Sequence, residues 1–293
     1  MTATLAPARA DTVAGLTTFV ALSARELRRF VANPVFWAGA VLTALVGWND
    51  GHTVTEIDTL NPYPAIFLGG FGMMAACWQT RSMWASEPVV GITPTTLPMR
   101  TAALCTVAIV PLLCGVSSLI AFRLYQPVAG NWVYGAFSPP DRIAVLIGQM
   151  VLPAFGGPLL GVALGRWVRF PGAGFVLFLV IYGWVNVGML LETLPSLSHP
   201  DSTAVTALRL FSPFAFFTIS DDGADITTWR GSPWFFIGWQ LALCAIAVLV
   251  ALARGAEGRV RFRVTRALQI VLVVAAIMLV LAVGGGFPHA VQT

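Results

Sequence analysis

The stretch DGHTVTEID concentrates the chain's candidate chemistry, because Asp50, His52, Glu56 and Asp58 stand close enough together to share a metal ion. A lone histidine among acids in a loop is ordinarily solvated, and no metal is assigned to this chain. His199 and His289 are isolated. Asp221, Asp222 and Asp225 read as a solvated turn rather than a calcium site. Cys77, Cys105, Cys114 and Cys244 lie in apolar runs without C-x-x-C spacing, which suits small buried hydrophobes and suggests neither a disulfide framework nor a zinc site. All 17 basic residues are arginine and there is no lysine. A phosphate-binding loop of the form G-x-x-x-x-G-K-[ST] is therefore excluded, and so is a lysine Schiff base. The chain is not an ordinary self-contained ATPase, and no catalytic residue is assigned.

Of the 293 positions, 57% are hydrophobic and 10% are charged. Soluble domains carry roughly 25% charged residues, so these charges are too few to cover a soluble surface. Mean hydropathy is +0.80. The expected fold is all-α and integral to a membrane. A bilayer core of roughly 30 Å needs about 20 mostly apolar residues per helix. Seven segments meet that need: 34–49, 62–79, 101–121, 143–165, 172–191, 233–253 and 267–285. Trp37 and Trp48 would mark the two interfaces of the first span. No room remains for a soluble catalytic domain.

Arginine placement predicts orientation. With the N-terminus in the cytoplasm, 13 arginines fall inside, and only Arg123, Arg142, Arg209 and Arg230 fall outside. That is a positive-inside bias, and seven spans then put the C-terminus outside. Nine of the 13 acidic residues fall outside as well. No cleavable signal peptide is visible, because the first apolar run ends in VGWND without a small-x-small pattern. The expected location is a bacterial plasma membrane, with the chain crossing it several times.

Residues 16–31, LTTFVALSARELRRFV, put Leu16, Phe19, Val20, Leu27, Phe30 and Val31 on one helical face and Arg25, Arg28 and Arg29 on the other. Such a helix lies in the interface, and Pro34 ends it. The plain alternative is that these arginines only anchor the first span to anionic lipid. The loop TRSMWASEPVVGITPTTLPMRTAAL mixes Arg81, Glu87 and Arg100 with Gly91, Pro94 and Pro98. It is longer than a connection between adjacent spans requires, which suggests docking on a partner; a solvated loop is the alternative. The stretch 204–220 is too apolar for a solvated connection and reads as a re-entrant or interfacial hairpin.

In this order, the parts resemble the permease subunit of type-2 ATP-binding cassette exporters, the ABC-2 membrane family. The family's inner loop commonly reads acidic-x-G-T-x-x-x-L-x-x-x-P-x-x-R, and Glu87, Gly91, Thr96, Leu97, Pro98 and Arg100 match it loosely, with Gly-Thr split and Leu-Pro compressed. GGPLLGVALGRWVRFPGAGFVLF at 156–178 is similar to the fourth-span exit of actinobacterial members, and LRLFSPFAFF at 208–217 to the segment before the sixth span. The resemblance runs from about residue 15 to residue 253.

The resemblance implies a six-span bundle behind an interfacial amphipathic helix, with residues 267–285 forming an additional seventh span. The domains would be a disordered N-terminus at 1–14, the ABC-2-like region at 15–253, and a basic inner loop with the extra helix at 254–293. It further implies a second permease copy or paralogue and two copies of a separate ATPase subunit, which would hold ATP and magnesium. This chain itself would bind no cofactor, and no nucleic acid is implied as a partner. Glu87, Gly91, Thr96, Leu97, Pro98 and Arg100 would couple to the ATPase, and Arg25, Glu26, Arg28 and Arg29 would meet lipid or that partner. Phe71, Met74, Trp78, Tyr182, Asn186 and Met189, on the second and fifth spans, would line the route for a hydrophobic or amphipathic substrate moving outward. The five arginines from 254 to 266 would meet acidic lipid. An ion-coupled secondary transporter would need ionisable residues near the midplane, where these spans place none. A non-transporting membrane anchor remains open on composition.

Overall fold

A bilayer core offers no water to backbone N–H and C=O groups, so a spanning segment must satisfy them internally, and a helix does this within one segment. The computed structural model describes residues 7–50, 63–86, 95–125, 139–192, 207–208, 210–211, 218–221, 225–228 and 231–284. Among them the helices are α1 (Pro7–Val31), α2 (Pro34–Asp50), α3 (Gly72–Ser86), α4 (Leu97–Cys105), α5 (Ile109–Tyr125), α6 (Pro139–Leu146), α7 (Leu152–Trp167), α8 (Ala173–Glu192), α9 (Pro233–Ala253) and α10 (Gly258–Gly284). Two π-helical stretches join them: Pro64–Phe71 runs into α3, and Ile147–Val151 links α6 to α7.

Among the described residues, four helices are long and apolar enough to cross a membrane: Leu97–Ala121, Ile143–Trp167, Pro233–Ala253 and Gly258–Gly284. The chain is therefore a membrane-embedded helical protein. A fifth crossing is obtained if Gly15–Val31 and Pro34–Val46 count as one span broken by a 61° bend. The expectation of seven spans is thus met in part. Residues 62–79 fall largely in the rod Pro64–Ser86, whose end carries Gln79, Thr80 and Arg81. Of 172–191, nearly all forms the apolar 20-residue helix α8, Ala173–Glu192. The rod packs inside the bundle, whereas α8 contacts it along one side and leaves Phe175, Val176, Leu179 and Val180 exposed.

The bend between α1 and α2 has a local cause. Proline disfavours helical backbone in the residue before it, and Asn33 Oδ1 instead accepts a hydrogen bond from the Val35 amide at 2.9 Å, capping α2. Helix α1 starts at Pro7, so residues 7–14 are helical where a disordered segment is expected; residues 1–6 lie outside the described residues. The apolar face of α1 is divided. Phe30 is fully buried against Phe36, with ring centroids 4.9 Å apart, while Leu16, Val20 and Val31 stay exposed.

One antiparallel hairpin departs from the all-α expectation: β1 (Thr218–Asp221) pairs with β2 (Asp225–Thr228), with Asp221 opposite Asp225. Asp221 and Asp225 thus flank the hairpin turn, with Asp222 itself outside the described residues. Most of the expected re-entrant stretch at 204–220 also lies outside them.

The centre of the bundle is the contact between the rod Pro64–Ser86 and α7. Gly157, Gly161 and Gly165 recur every four residues along one face of α7. A Cβ on Gly157 would meet the Gly69 carbonyl, and one on Gly161 would meet the Met73 carbonyl. A Cβ on Gly165 would lie 2.8 Å from Thr80 Cβ and 2.9 Å from the Cys77 carbonyl. The two backbones therefore touch over three successive turns. Around this seam Leu68, Ala75, Ala76, Leu159, Val162 and Ala163 form one buried cluster with residues of α4 and α9. A second cluster joins Val145, Met150 and Phe236 to Ala275 and Ala282 of α10.

Gly161→Ala should lower thermal stability by about 1–3 kcal/mol or more, because the added methyl meets backbone that cannot rotate away. Gly183→Ala, where a Cβ meets nothing within 4 Å, should change it by less than about 0.5 kcal/mol. Thermal denaturation of the two purified variants in detergent checks the pair; equal midpoints would mean that the glycine seam does not carry the packing.

Candidate functional site

The π-helical stretch Pro64–Phe71 places Ile66, Gly69 and Gly70 on one wall of a cavity of about 420 Å³. Leu152, Pro153, Gly156 and Leu160 of α7 form the floor. Phe178, Ile181 and Tyr182 of α8 face Trp239, Gln240 and Leu243 of α9 across it. The lining is almost entirely apolar, and among the described residues it contains no carboxylate or guanidinium. The glycines both seat the bundle and leave the space open, because no side chain projects from Gly69, Gly70 or Gly156. A cavity of this size and lining suits an apolar ligand.

Its main polar group is accounted for. The Leu152 amide donates to the Ile147 carbonyl, one residue further back than in an α-helix. The next acceptor in that register, the Gly148 carbonyl, faces Pro153, which has no N–H to give. Gln240 Nε2 supplies the missing donor at 2.7 Å. A π-turn, a proline and a glutamine on another helix thus form one hydrogen-bonded joint between α7 and α9. π-Turns are frequent at functional sites; here Pro64–Phe71 lines the cavity, and Ile147–Val151 ends immediately before Leu152 and Pro153, which line it too.

An aromatic series crosses the same region. Tyr63, Phe67, Phe71, Phe178 and Tyr182 follow one another with ring centroids 6.0 to 6.2 Å apart. Two of the six expected route residues, Phe71 and Tyr182, are therefore joined through Phe178, and Tyr182 lines the cavity. Met74 and Trp78 are not part of it. Met74 lies with its backbone against Gly174, and Trp78 is 66% exposed on the far side of the rod, beside Arg29 and Asn33. Asn186 and Met189 fall within α8, but their side chains lie outside the described residues.

At one end of the bundle, α1 is latched to α3. Gln79 Nε2 donates to Glu26 Oε2 at 2.6 Å and to the Glu26 carbonyl at 2.9 Å. Arg29 pairs with Glu26 at 3.3 Å and donates to Ser82 Oγ at 3.1 Å. Arg25, Glu26, Arg29 and Ser82 border a hollow with Arg100, while Arg28 is exposed. The expected interfacial and coupling residues therefore meet here in part. Thr96 caps α4 through its hydroxyl, which accepts from the Met99 amide at 3.4 Å. Leu97 and Pro98 open that helix, and Arg100 Nε donates to Thr95 Oγ1 at 2.9 Å. Glu87 and Gly91 lie outside the described residues, as do His52, Glu56 and Asp58.

Sequence reading does not anticipate the stack beside this latch. Trp84 lies between two guanidinium groups, Arg169 at 4.3 Å and Arg254 at 4.9 Å from the ring centroid, and Arg254 also stands 5.3 Å from the Trp167 ring. The indoles are fixed by donation from Trp84 to the Gly165 carbonyl at 2.8 Å and from Trp167 to the Val250 carbonyl at 2.9 Å. Cation–π contacts of this kind contribute about 0.5–2 kcal/mol each. The stack ties the ends of α3, α7 and α9 together. Its only trace in the sequence is the coincidence of tryptophan and arginine at three span ends.

Comparison of the chain with protein-family models, with curated proteins and with solved structures found no match.

Gln240→Leu should cost about 0.6–2 kcal/mol in stability by orphaning the Gly148 carbonyl in an apolar setting. Thermal denaturation in detergent measures it. A neutral or stabilising outcome would show that this joint does not hold α7 to α9.

Proposed function

We propose that this chain is the transmembrane permease subunit of an ATP-binding cassette exporter of the ABC-2 type, moving a hydrophobic or amphipathic molecule outward. The observation that carries the reading is the apolar cavity. Two of its walls, the Pro64–Phe71 stretch and α8, come from the two segments to which the sequence resemblance assigns the substrate route. Its lining of glycines, leucines and aromatic rings suits an uncharged or amphipathic guest better than an ion. An ion-coupled transporter would need a titrating carboxylate there.

In this reading the missing lysine is a division of labour, with ATP and magnesium held by two separate ATPase subunits. The loop ending at Thr96, Leu97, Pro98 and Arg100 would transmit their closure. Arg100 borders the same hollow as Arg25, Glu26 and Arg29, so movement of the loop would reach α1 and, through Gln79, the glycine-bearing rod. ATP binding would then bias two packings of the bundle by differential contact at the loop. The exposed face of α8, with Phe175, Val176, Leu179 and Val180, would meet a second permease copy.

Co-expression with a candidate ATP-binding cassette ATPase subunit tests the assembly. The two should co-purify, and Arg100→Glu should reduce retained ATPase activity at least about tenfold while leaving the permease in the membrane. Failure of any ATPase to co-purify, or full activity in Arg100→Glu, would count against the reading.

A further inference from the structure

Helix α10 carries a stripe that the proposed function does not use. Arg259, Arg263, Arg266, Ile270, Val273, Ile277 and Val280 recur at alternating steps of four and three residues, which keeps them on one helical face. All seven are exposed. The face that packs on α9 lies opposite and includes Val271, Ala275, Met278 and Ala282. Only 11% of the most apolar window of α10 is buried, so most of its circumference faces the surroundings.

The stripe changes character once along its length. Arg254 stacks on Trp84, and a Cβ on Gly255 would lie 2.8 Å from Leu97 Cβ, so α10 begins at the end of the bundle where α1 lies. Its other end is tied to the start of α9 by the Ser232 amide donating to the Ala282 carbonyl at 2.9 Å. From Arg266 to Gly284 the helix rises about 27 Å, close to the roughly 30 Å of a hydrocarbon core. Arg259, Arg263 and Arg266 therefore occupy the last ~10 Å, at headgroup depth. Together with Phe262, Ala267 and Ile270 they border an open hollow of about 510 Å³.

Three guanidinium groups on one face repel one another, and among the described residues none of them has an ion-pair partner. Glu257, at the helix start, is the one acidic residue between 254 and 284. We propose that this stripe seats an anionic phospholipid: Arg259, Arg263 and Arg266 hold the headgroup phosphate, and an acyl chain lies along Ile270, Val273 and Ile277. The charge pattern distinguishes lipid from a second copy of this chain. A copy inserted in the same direction would bring the same three arginines to the same depth, setting like charge against like charge in a two-fold contact. A phospholipid supplies the opposite charge at one end and hydrocarbon at the other. The seat is independent of the exporter reading and requires only that α10 span a bilayer.

The test is native mass spectrometry of the full purified chain in detergent, titrated with phosphatidylglycerol and, separately, with phosphatidylcholine. The wild-type chain should prefer phosphatidylglycerol by about tenfold or more. Each single change Arg259→Gln, Arg263→Gln or Arg266→Gln should weaken phosphatidylglycerol binding roughly fivefold, and the triple change about a hundredfold. The triple change to lysine should retain most of the binding. Equal affinity of the wild-type chain for the two lipids would overturn the proposal, as would unaltered phosphatidylglycerol binding in the glutamine variants. Loss of a bound protein or of an oligomer in those variants, with lipid binding intact, would assign the stripe to a protein partner and overturn it as well.

Discussion

Two helix backbones in contact are the constraint on which the rest of this bundle rests. Inside a membrane no hydrophobic force draws one helix to another, because lipid tails are as apolar as leucine, so close packing must supply the attraction. Gly157, Gly161 and Gly165 let α7 approach the rod Pro64–Ser86 until carbonyls stand where side chains would otherwise be. Many small dispersion contacts then accumulate along three turns. Helix α9 packs on the other side of α7, and α10 packs on α9. A displacement at the glycine seam would therefore propagate through most of the described helices.

The cavity follows from the same seam. Where the rod is π-helical rather than α-helical, its wider turn changes register, and Gly69 and Gly70 leave a wall without side chains. Phe178 leans over Gly70, where even a Cβ would collide with its ring, and it links the aromatic series of the rod to Tyr182 of α8. On the α7 side, the register shift at Ile147–Val151 orphans one carbonyl, and Gln240 of α9 satisfies it. The apolar space and the polar joint beside it are thus two results of one kind of irregularity. At the α1 end, the Glu26–Gln79 latch and the Trp84 stack hold the helices that bear on this space.

Composition and helical period revealed the membrane class, the helix that ends before Pro34 and the runs that became α5, α7, α9 and α10, because hydropathy and helical period act over whole segments. The glycine repeat in GGPLLGVALGRW was legible in principle, since small residues four apart mark a helix contact. Its partner, the rod, could not be read, because a contact between distant segments leaves no local pattern. The π-turns were hidden for the same reason, as their hydrogen-bond register is settled by packing. Trp78 is a further case: its place in the rod is legible, but that it stands exposed beside Arg29 and Asn33 is settled by packing. The Arg169–Trp84–Arg254 stack joins residues from three span ends, so spacing along the chain carries no sign of it.

The central claim is that this chain gates an apolar route and draws its energy from ATP hydrolysed elsewhere. Its most direct test is efflux of a hydrophobic fluorophore from vesicles containing this chain together with the proposed ATPase subunit. The account predicts movement that requires ATP and both subunits, ignores imposed proton and sodium gradients, and slows when Leu160→Trp fills the cavity. Movement by this chain alone, driven by an ion gradient and indifferent to ATP, would contradict it.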